Sequence, residues 1–114
     1  MKKLTSLDGI KKVIGDDTQS LKEFTEAFIS QTSMQLNQLQ DCLQKNDAAE
    51  IKNVVHKMKS SISYFGMNDQ VVLAQQIEET ITKEFEKTKP MVNELISICQ
   101  IALDELRVTA KEMN

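Results

Sequence analysis

Apolar residues recur along the chain at spacings of three and four, and polar stretches interrupt that rhythm at intervals suited to helices. Leu4, Leu7, Ile10, Val13 and Ile14 form the first set and predict a short leading helix over about 4–15, closed near Gly15. Asp16-Asp17-Thr18 offers an N-cap for a long second helix. Its inner face is predicted to carry Leu21, Phe24, Phe28, Ile29, Thr32, Leu36, Leu39 and Leu43. Lys45-Asn46-Asp47 breaks that helix. Asp47, with Glu50 at the right spacing, matches a capping box opening a third helix, whose inner face holds Ile51, Val54, Val55, Met58, Ile62 and Phe65. Gly66 is placed to end it in a left-handed conformation. Asn68 is the expected cap of a fourth helix bearing Val71, Val72, Ala74, Ile77, Ile81 and Phe85. Thr88-Lys89-Pro90 reads as a cap followed by a first-turn proline. Met91, Leu95, Ile98, Ala102 and Leu106 line a last helix that frays past Val108.

Short connections between helices of similar length make neighbours antiparallel. The expected fold is therefore all-α, an up-down-up-down four-helix bundle over about 17–112 with a short N-terminal helix before it. At 114 residues, one domain over 1–114 is expected. With 3 glycines, 1 proline and no tryptophan, the composition also favours helices. Phe24, Phe28 and Phe85 are expected in the core, and most of the 6 methionines are expected to fill it. Cys42 and Cys99 fit no metal-ligand spacing and fall among apolar positions, so buried reduced thiols are expected.

The net charge of −3 argues against nucleic-acid binding, which needs a basic face to release counterions. Met1-Lys2-Lys3-Leu4 is followed at once by polar residues, so no secretory leader is expected. No apolar run is long enough to span a bilayer. The expected setting is the cytoplasm, without direct membrane contact, either free or as the C-terminal piece of a membrane-bound protein.

The single histidine, His56, stands on the third helix. At about 100° per residue it projects roughly 140° from the centre of the apolar face, toward water. Lys52 precedes it by a turn, Lys59 follows at the next turn, and Ser60 and Ser63 share the outer side. Neutral imidazole is a nitrogen nucleophile near pH 7 and accepts phosphoryl groups. Phosphoryl transfer needs in-line positioning and positive charge near the equatorial oxygens. Lys59 can supply that charge, while Lys57 and Lys52 can attract an acidic partner. Ser60, below the ring at i+4, leaves room for approach and offers a hydroxyl to a ring nitrogen or a phosphoryl oxygen. Glu78 and Gln76, on the fourth helix, are candidates to approach the site, with the solvated surface the favoured expectation for both.

His56, Met58, Lys59, Ser61 and Gly66 fall in the order and spacing of histidine phosphotransfer (HPt) domains. Their pattern is His, any residue, Leu, Lys, Gly, two small residues, three more and Gly. The similarity continues through Met67, Val71, Ala74, Ile77 and Glu78. The resemblance implies that His56 takes a phosphoryl group from a receiver domain's phospho-aspartate and relays it to another receiver. It also implies that the receiver, of a response regulator or hybrid sensor kinase, supplies the Mg²⁺, so this chain binds no metal or cofactor. Gly66 is expected to be structural. The chain is expected to act as a monomer without kinase activity of its own. Two departures stand out: Ser60 replaces the glycine below the histidine, and Met58 replaces leucine at similar volume. A receiver-docking surface is expected from exposed side chains of the second and third helices.

Other classes fit less well. A dimerising histidine-kinase hairpin usually has an acidic residue directly after its histidine and a proline soon after that. Here Lys57 follows, and the only proline is Pro90. One histidine leaves no credible metal-ligand set or hydrolytic triad. A helical adaptor that binds a receiver without accepting phosphate remains the alternative.

Overall fold

Five helices follow one another in the computed structural model, which describes residues 3–113: α1 (Asp8–Ile14), α2 (Thr18–Lys45), α3 (Ala48–Ser63), α4 (Asn68–Thr80) and α5 (Phe85–Lys111). From α2 onward each helix packs on the next, and α5 returns to α2, closing a four-helix ring; α1 rests against α2. Short connections reverse the chain at each step, which gives the expected up-down-up-down bundle. The 28 residues of α2 rise about 42 Å at 1.5 Å each, which accounts for the 44 Å long axis of the molecule. One contiguous core runs through the bundle, with Leu39, Ile51, Val55, Met58, Ile77, Ile81, Val92 and Leu95 fully enclosed. No helix among the described residues is long and apolar enough to cross a membrane. Cys42 and Cys99 are free and buried, and burial pushes the Cys99 thiol up to about 12.

The helix ends follow local chemistry. Asp17 caps α2, its carboxylate accepting from the Ser20 hydroxyl at 2.7 Å and the Ser20 N–H at 2.9 Å. Asn46 ends α2 at φ 57°, where asparagine is among the few tolerated residues. Its N–H reaches the Leu43 carbonyl, and the Asp47 N–H reaches that of Cys42. Asp47 caps α3 by accepting from Glu50 N at 3.1 Å. Because the Asp47 N–H is already committed to Cys42, the reciprocal half of the predicted capping box is not formed. Gly66 ends the following turn at φ 74°, as expected, with its N–H on Ser63 and the Met67 N–H on Ile62. Ile62 and Met67, the apolar pair of that motif, are both buried.

Several boundaries differ from the sequence reading. The leading helix starts at Asp8, because residues 4–6 use their backbone donors elsewhere. The N–H groups of Leu4 and Thr5, and the Thr5 hydroxyl, donate to the Glu105 carboxylate at 3.0–3.1 Å. The Ser6 N–H donates to the Phe65 carbonyl at 2.7 Å. Asn68 is inside α4, and Met67 takes the cap position without a side-chain bond. Phe85 opens α5 rather than closing the fourth helix, so Thr88 and Pro90 are helical. Thr88 points inward and its hydroxyl contacts the Glu84 carbonyl and the Thr80 hydroxyl at 2.8 and 2.9 Å. Pro90 leaves the carbonyl of exposed Glu86 without a helical donor, a loss that solvent makes good at that position. Helix α5 continues to Lys111 without fraying at Val108, since Ala110 is buried.

The core also shifts slightly. Phe24, Ile29, Leu43, Phe85, Met91 and Ile98 are only half-buried, Val13 and Val72 are exposed, and Thr25 and Cys42 are inside. Thr25 is tolerated there because its hydroxyl donates to the Leu21 carbonyl at 2.7 Å. Of the described methionines, Met58 and Met67 are fully enclosed while Met34 is exposed.

Gly9 permits the closest backbone approach. A Cβ there would lie 2.8 Å from the Tyr64 carbonyl oxygen, a backbone atom with little freedom to move. Gly9→Ala is expected to lift α1 from the end of α3 and lower stability by about 1–3 kcal/mol. An unchanged urea midpoint would show that α1 does not rest there in solution.

Candidate functional site

Ile51, Val54, Val55, Met58 and Ile62 bury one stripe of α3, and the opposite side carries His56 with 70 % of its side chain exposed. The sequence reading of that face therefore holds. What it ranked second, an approach from α4, is what the structure shows for Glu78. His56 Nδ1 lies 3.1 Å from Glu78 Oε2, and Lys59 Nζ lies 2.8 Å from Glu78 Oε1. The Lys59 ammonium also donates to Gln75 Oε1 at 2.6 Å. Glu78 keeps only 11 % of its side chain exposed, so it is not the solvated surface residue expected; Gln76 is exposed.

These contacts follow from the antiparallel pairing of α3 and α4 about the Gly66-Met67 turn. His56 and Glu78 each stand 11 residues from Met67, on opposite sides of it, and Lys59 and Gln75 each stand 8. Residues at equal distances from the turn of a helical hairpin meet across the interface. Glu78 is also four residues beyond fully buried Ala74, which puts it on the flank of the α4 inner stripe, facing α3. Its partners were thus legible once the turn was placed.

A carboxylate can only accept a hydrogen bond, so the contact assigns the imidazole proton to Nδ1. In the neutral ring Nε2 then keeps its lone pair, on an exposed side chain. Burial raises the Glu78 carboxyl, but hydrogen bonds from Lys59 and His56, with the charge of Lys59, outweigh it and hold the group below its ordinary range. Glu78 is ionised at neutral pH and holds the Lys59 ammonium and the His56 ring at once.

The other candidates are distributed around this core. Lys59 is largely covered and comes together with His56 through their shared carboxylate. Lys52 is exposed and lines a shallow hollow with Gln75, Glu78 and Thr82. Lys57 is exposed and has no ion pair among the described residues. Ser60 is exposed a turn beyond the ring, but Nδ1 belongs to Glu78, so the serine hydroxyl does not hold that nitrogen. The Ser63 hydroxyl is committed to the Ser60 carbonyl at 2.6 Å, which leaves Ser63 only its lone pairs for a ligand. Gly66 has the structural role expected of it. No group of three or more His, Cys, Asp or Glu side chains among the described residues is arranged to hold a metal ion.

The family model for the Hpt domain matches residues 23–109. The helical bundle and the exposed histidine on α3 agree with it, and the chain belongs to the Hpt domain family. Hpt domains carry phosphoryl groups on histidine in phosphorelays, act as transfer intermediates rather than kinases, and interact with receiver domains. No curated protein and no solved structure matches the chain.

The lowered Glu78 titration links the site to stability. A carboxyl whose folded-state pKa lies below its ordinary value of 4.5 stabilises the fold above that value and stops doing so as pH falls through the lower one. Wild type should therefore exceed Glu78→Gln in urea-measured stability at neutral pH, and the gap should close in acid. A gap that stays constant down to about pH 2 would mean that the carboxylate charge contributes nothing.

Proposed function

We propose that His56 is the phosphoacceptor of this chain, taking the group from one receiver's phospho-aspartate and passing it to another receiver. The observation that carries this is the assigned tautomer: Nδ1–H is anchored on Glu78 and Nε2 faces outward on an exposed helix. The Nε2 lone pair forms the N–P bond while the bond from phosphorus to the aspartate oxygen breaks, its electron pair leaving with the carboxylate. The ring keeps its Nδ1 proton and gains positive charge, which Glu78 is placed to balance. Delivery to the second receiver is the reverse step.

Lys59 stands one turn beyond His56 with a charged ammonium between Glu78 and Gln75. In this reading it provides positive charge beside the phosphoryl oxygens. Lys52 and Lys57 steer the acidic receiver toward the site, and Ser60 keeps the approach open. The receiver brings the Mg²⁺ that its aspartyl phosphate requires. The chain works as a single monomeric domain in the cytoplasm, without making phosphohistidine from ATP and without binding nucleic acid.

Intact-mass spectrometry tests the assignment, after mixing the chain with phosphorylated receiver domains and Mg²⁺ and holding the products at neutral to alkaline pH. A gain of one phosphate is expected in wild type and none in His56→Gln, whose circular dichroism should match wild type because the site is exposed. Equal labelling of that variant would rule His56 out as the acceptor. Receiver binding without labelling of wild type would support the adaptor alternative.

Lys59→Ala is expected to slow transfer about ten- to a hundredfold, the loss of one charge-assisted contact, while leaving receiver affinity little changed. An unchanged transfer rate would remove Lys59 from the chemistry.

A further inference from the structure

A hydroxyl inside a helix ordinarily bonds back to the carbonyl one turn earlier. Thr25, Thr80, Thr88 and Thr109 each do so in this fold. Beside His56 the Ser63 proton is committed to the Ser60 carbonyl, whereas the Ser60 hydroxyl has no protein partner among the described residues and is exposed. The direction of the imidazole gives that free hydroxyl a meaning. At about 100° per residue, Lys59 stands roughly 60° to one side of His56 and Ser60 roughly 40° to the other. Glu78 joins Nδ1 to the Lys59 ammonium, so Nδ1 is on the Lys59 side of the ring. The two ring nitrogens lie on opposite sides of the imidazole's long axis, which turns Nε2 toward Ser60. Side chains on a helix lean toward its N-terminus, so the Ser60 hydroxyl leans toward the ring. Lys59 and Ser60 also line one open hollow at the turn beyond His56.

We infer that the Ser60 hydroxyl holds the phosphoryl group on His56, donating to one of its oxygens while the Lys59 ammonium faces it from the other side. The inference rests on the acceptor reading of His56. Before phosphorylation the hydroxyl bonds to water. Once the Nε2–P bond has formed, an ionised acceptor stands on the Ser60 side of the ring, and hydrogen bonds to charged acceptors are about twice as strong as neutral ones. Residues four apart on a helix have Cβ atoms about 5–6 Å apart, so a short side chain at Ser60 reaches a group carried beyond the ring. A donor favours the phosphoryl dianion over the monoanion, because the oxygen it meets carries more charge. A bond present only in the phosphorylated chain also draws the equilibrium with a receiver toward phosphohistidine. The charged neighbours, Lys52, Lys57 and Lys59 on α3 and Glu78 and Glu79 on α4, are untouched when Ser60 alone is replaced.

The test needs no receiver. Phosphoramidate supplies the group: the Nε2–P bond forms as the P–N bond of the reagent breaks, and its nitrogen leaves as ammonia with the electron pair. Nitrogen NMR of the ring identifies the phosphorylated atom, and phosphorus NMR follows the last ionisation of the phosphoryl group with pH. Ser60→Ala and Ser60→Gly are each expected to move that ionisation upward by about 0.4–1 pH unit, equally, because both lack the hydroxyl. A residue that acts only through its shape would leave it at the wild-type position. An unmoved ionisation in Ser60→Ala, or a shift in only one of the two variants, overturns the Ser60 contact and leaves His56 as the acceptor. Failure to label wild type, equal labelling of His56→Gln, or a phosphoryl group found on Nδ1 overturns the acceptor assignment, and the role of Ser60 with it.

Discussion

The register between α3 and α4 is the constraint on which the site depends, and the turn at Gly66-Met67 sets it. Were the turn one residue longer or shorter, His56 would face Ile77 or Glu79 in place of Glu78. Ile77 belongs to the core and Glu79 to the solvated side, so either slip would leave the imidazole without a partner. The turn is held on its outer side as well as by its own hydrogen bonds. Ser6 donates to the Phe65 carbonyl and packs against Gly66, while Gly9 meets the Tyr64 carbonyl. Glu105 on α5 then fixes the segment before α1 through Leu4 and Thr5. The N-terminal strap lies before the stretch matched by the family model, yet it braces the turn that positions the site.

The Glu78 contacts matter for orientation more than for stability. An exposed histidine hydrogen bond is worth at most about 1 kcal/mol, because solvent competes for both groups. The same bond decides which ring nitrogen holds the proton, and that decides which nitrogen can attack. Glu78 can do this at neutral pH only if it stays ionised while largely covered. Burial alone would push it toward the neutral form, and the Lys59 ammonium prevents that. Lys59 keeps Glu78 charged, and in the proposed role its ammonium also faces the phosphoryl group. A cation that bridges a carboxylate and an amide oxygen at rest is already desolvated and aimed before the substrate arrives.

Most of this was legible in the sequence, and the exceptions have physical causes. Helical periodicity located five helices and put His56 outward, because a buried stripe on α3 leaves little freedom for the opposite face. The Asp17 and Asp47 caps and the Gly66 turn were readable because few residue types suit those positions. The start of α1 was not, since Leu4 and Thr5 are tied to Glu105, about a hundred residues away. Thr88-Lys89-Pro90 looks like a helix start, but burial of Thr88 against Thr80 extends the helix back to Phe85. Glu78 was ranked as solvated ahead of its approach to the site because a lone glutamate beside an apolar stripe usually faces water. The equal spacing of His56 and Glu78 about the turn was the available signal. It becomes usable only when Gly66-Met67 is taken as the centre of a hairpin.

Ser60, where the family usually has glycine, can be placed by the same reasoning. Glycine in a helix interior costs about 1 kcal/mol relative to alanine, and serine roughly half of that. Serine thus stiffens α3 just beyond the histidine, while adding only one hydroxymethyl group to the approach. A glycine surface would let a partner's backbone come closest directly over the helix. With a side chain there, an approach directly over the helix is less close, and that side chain is exposed a turn beyond the ring.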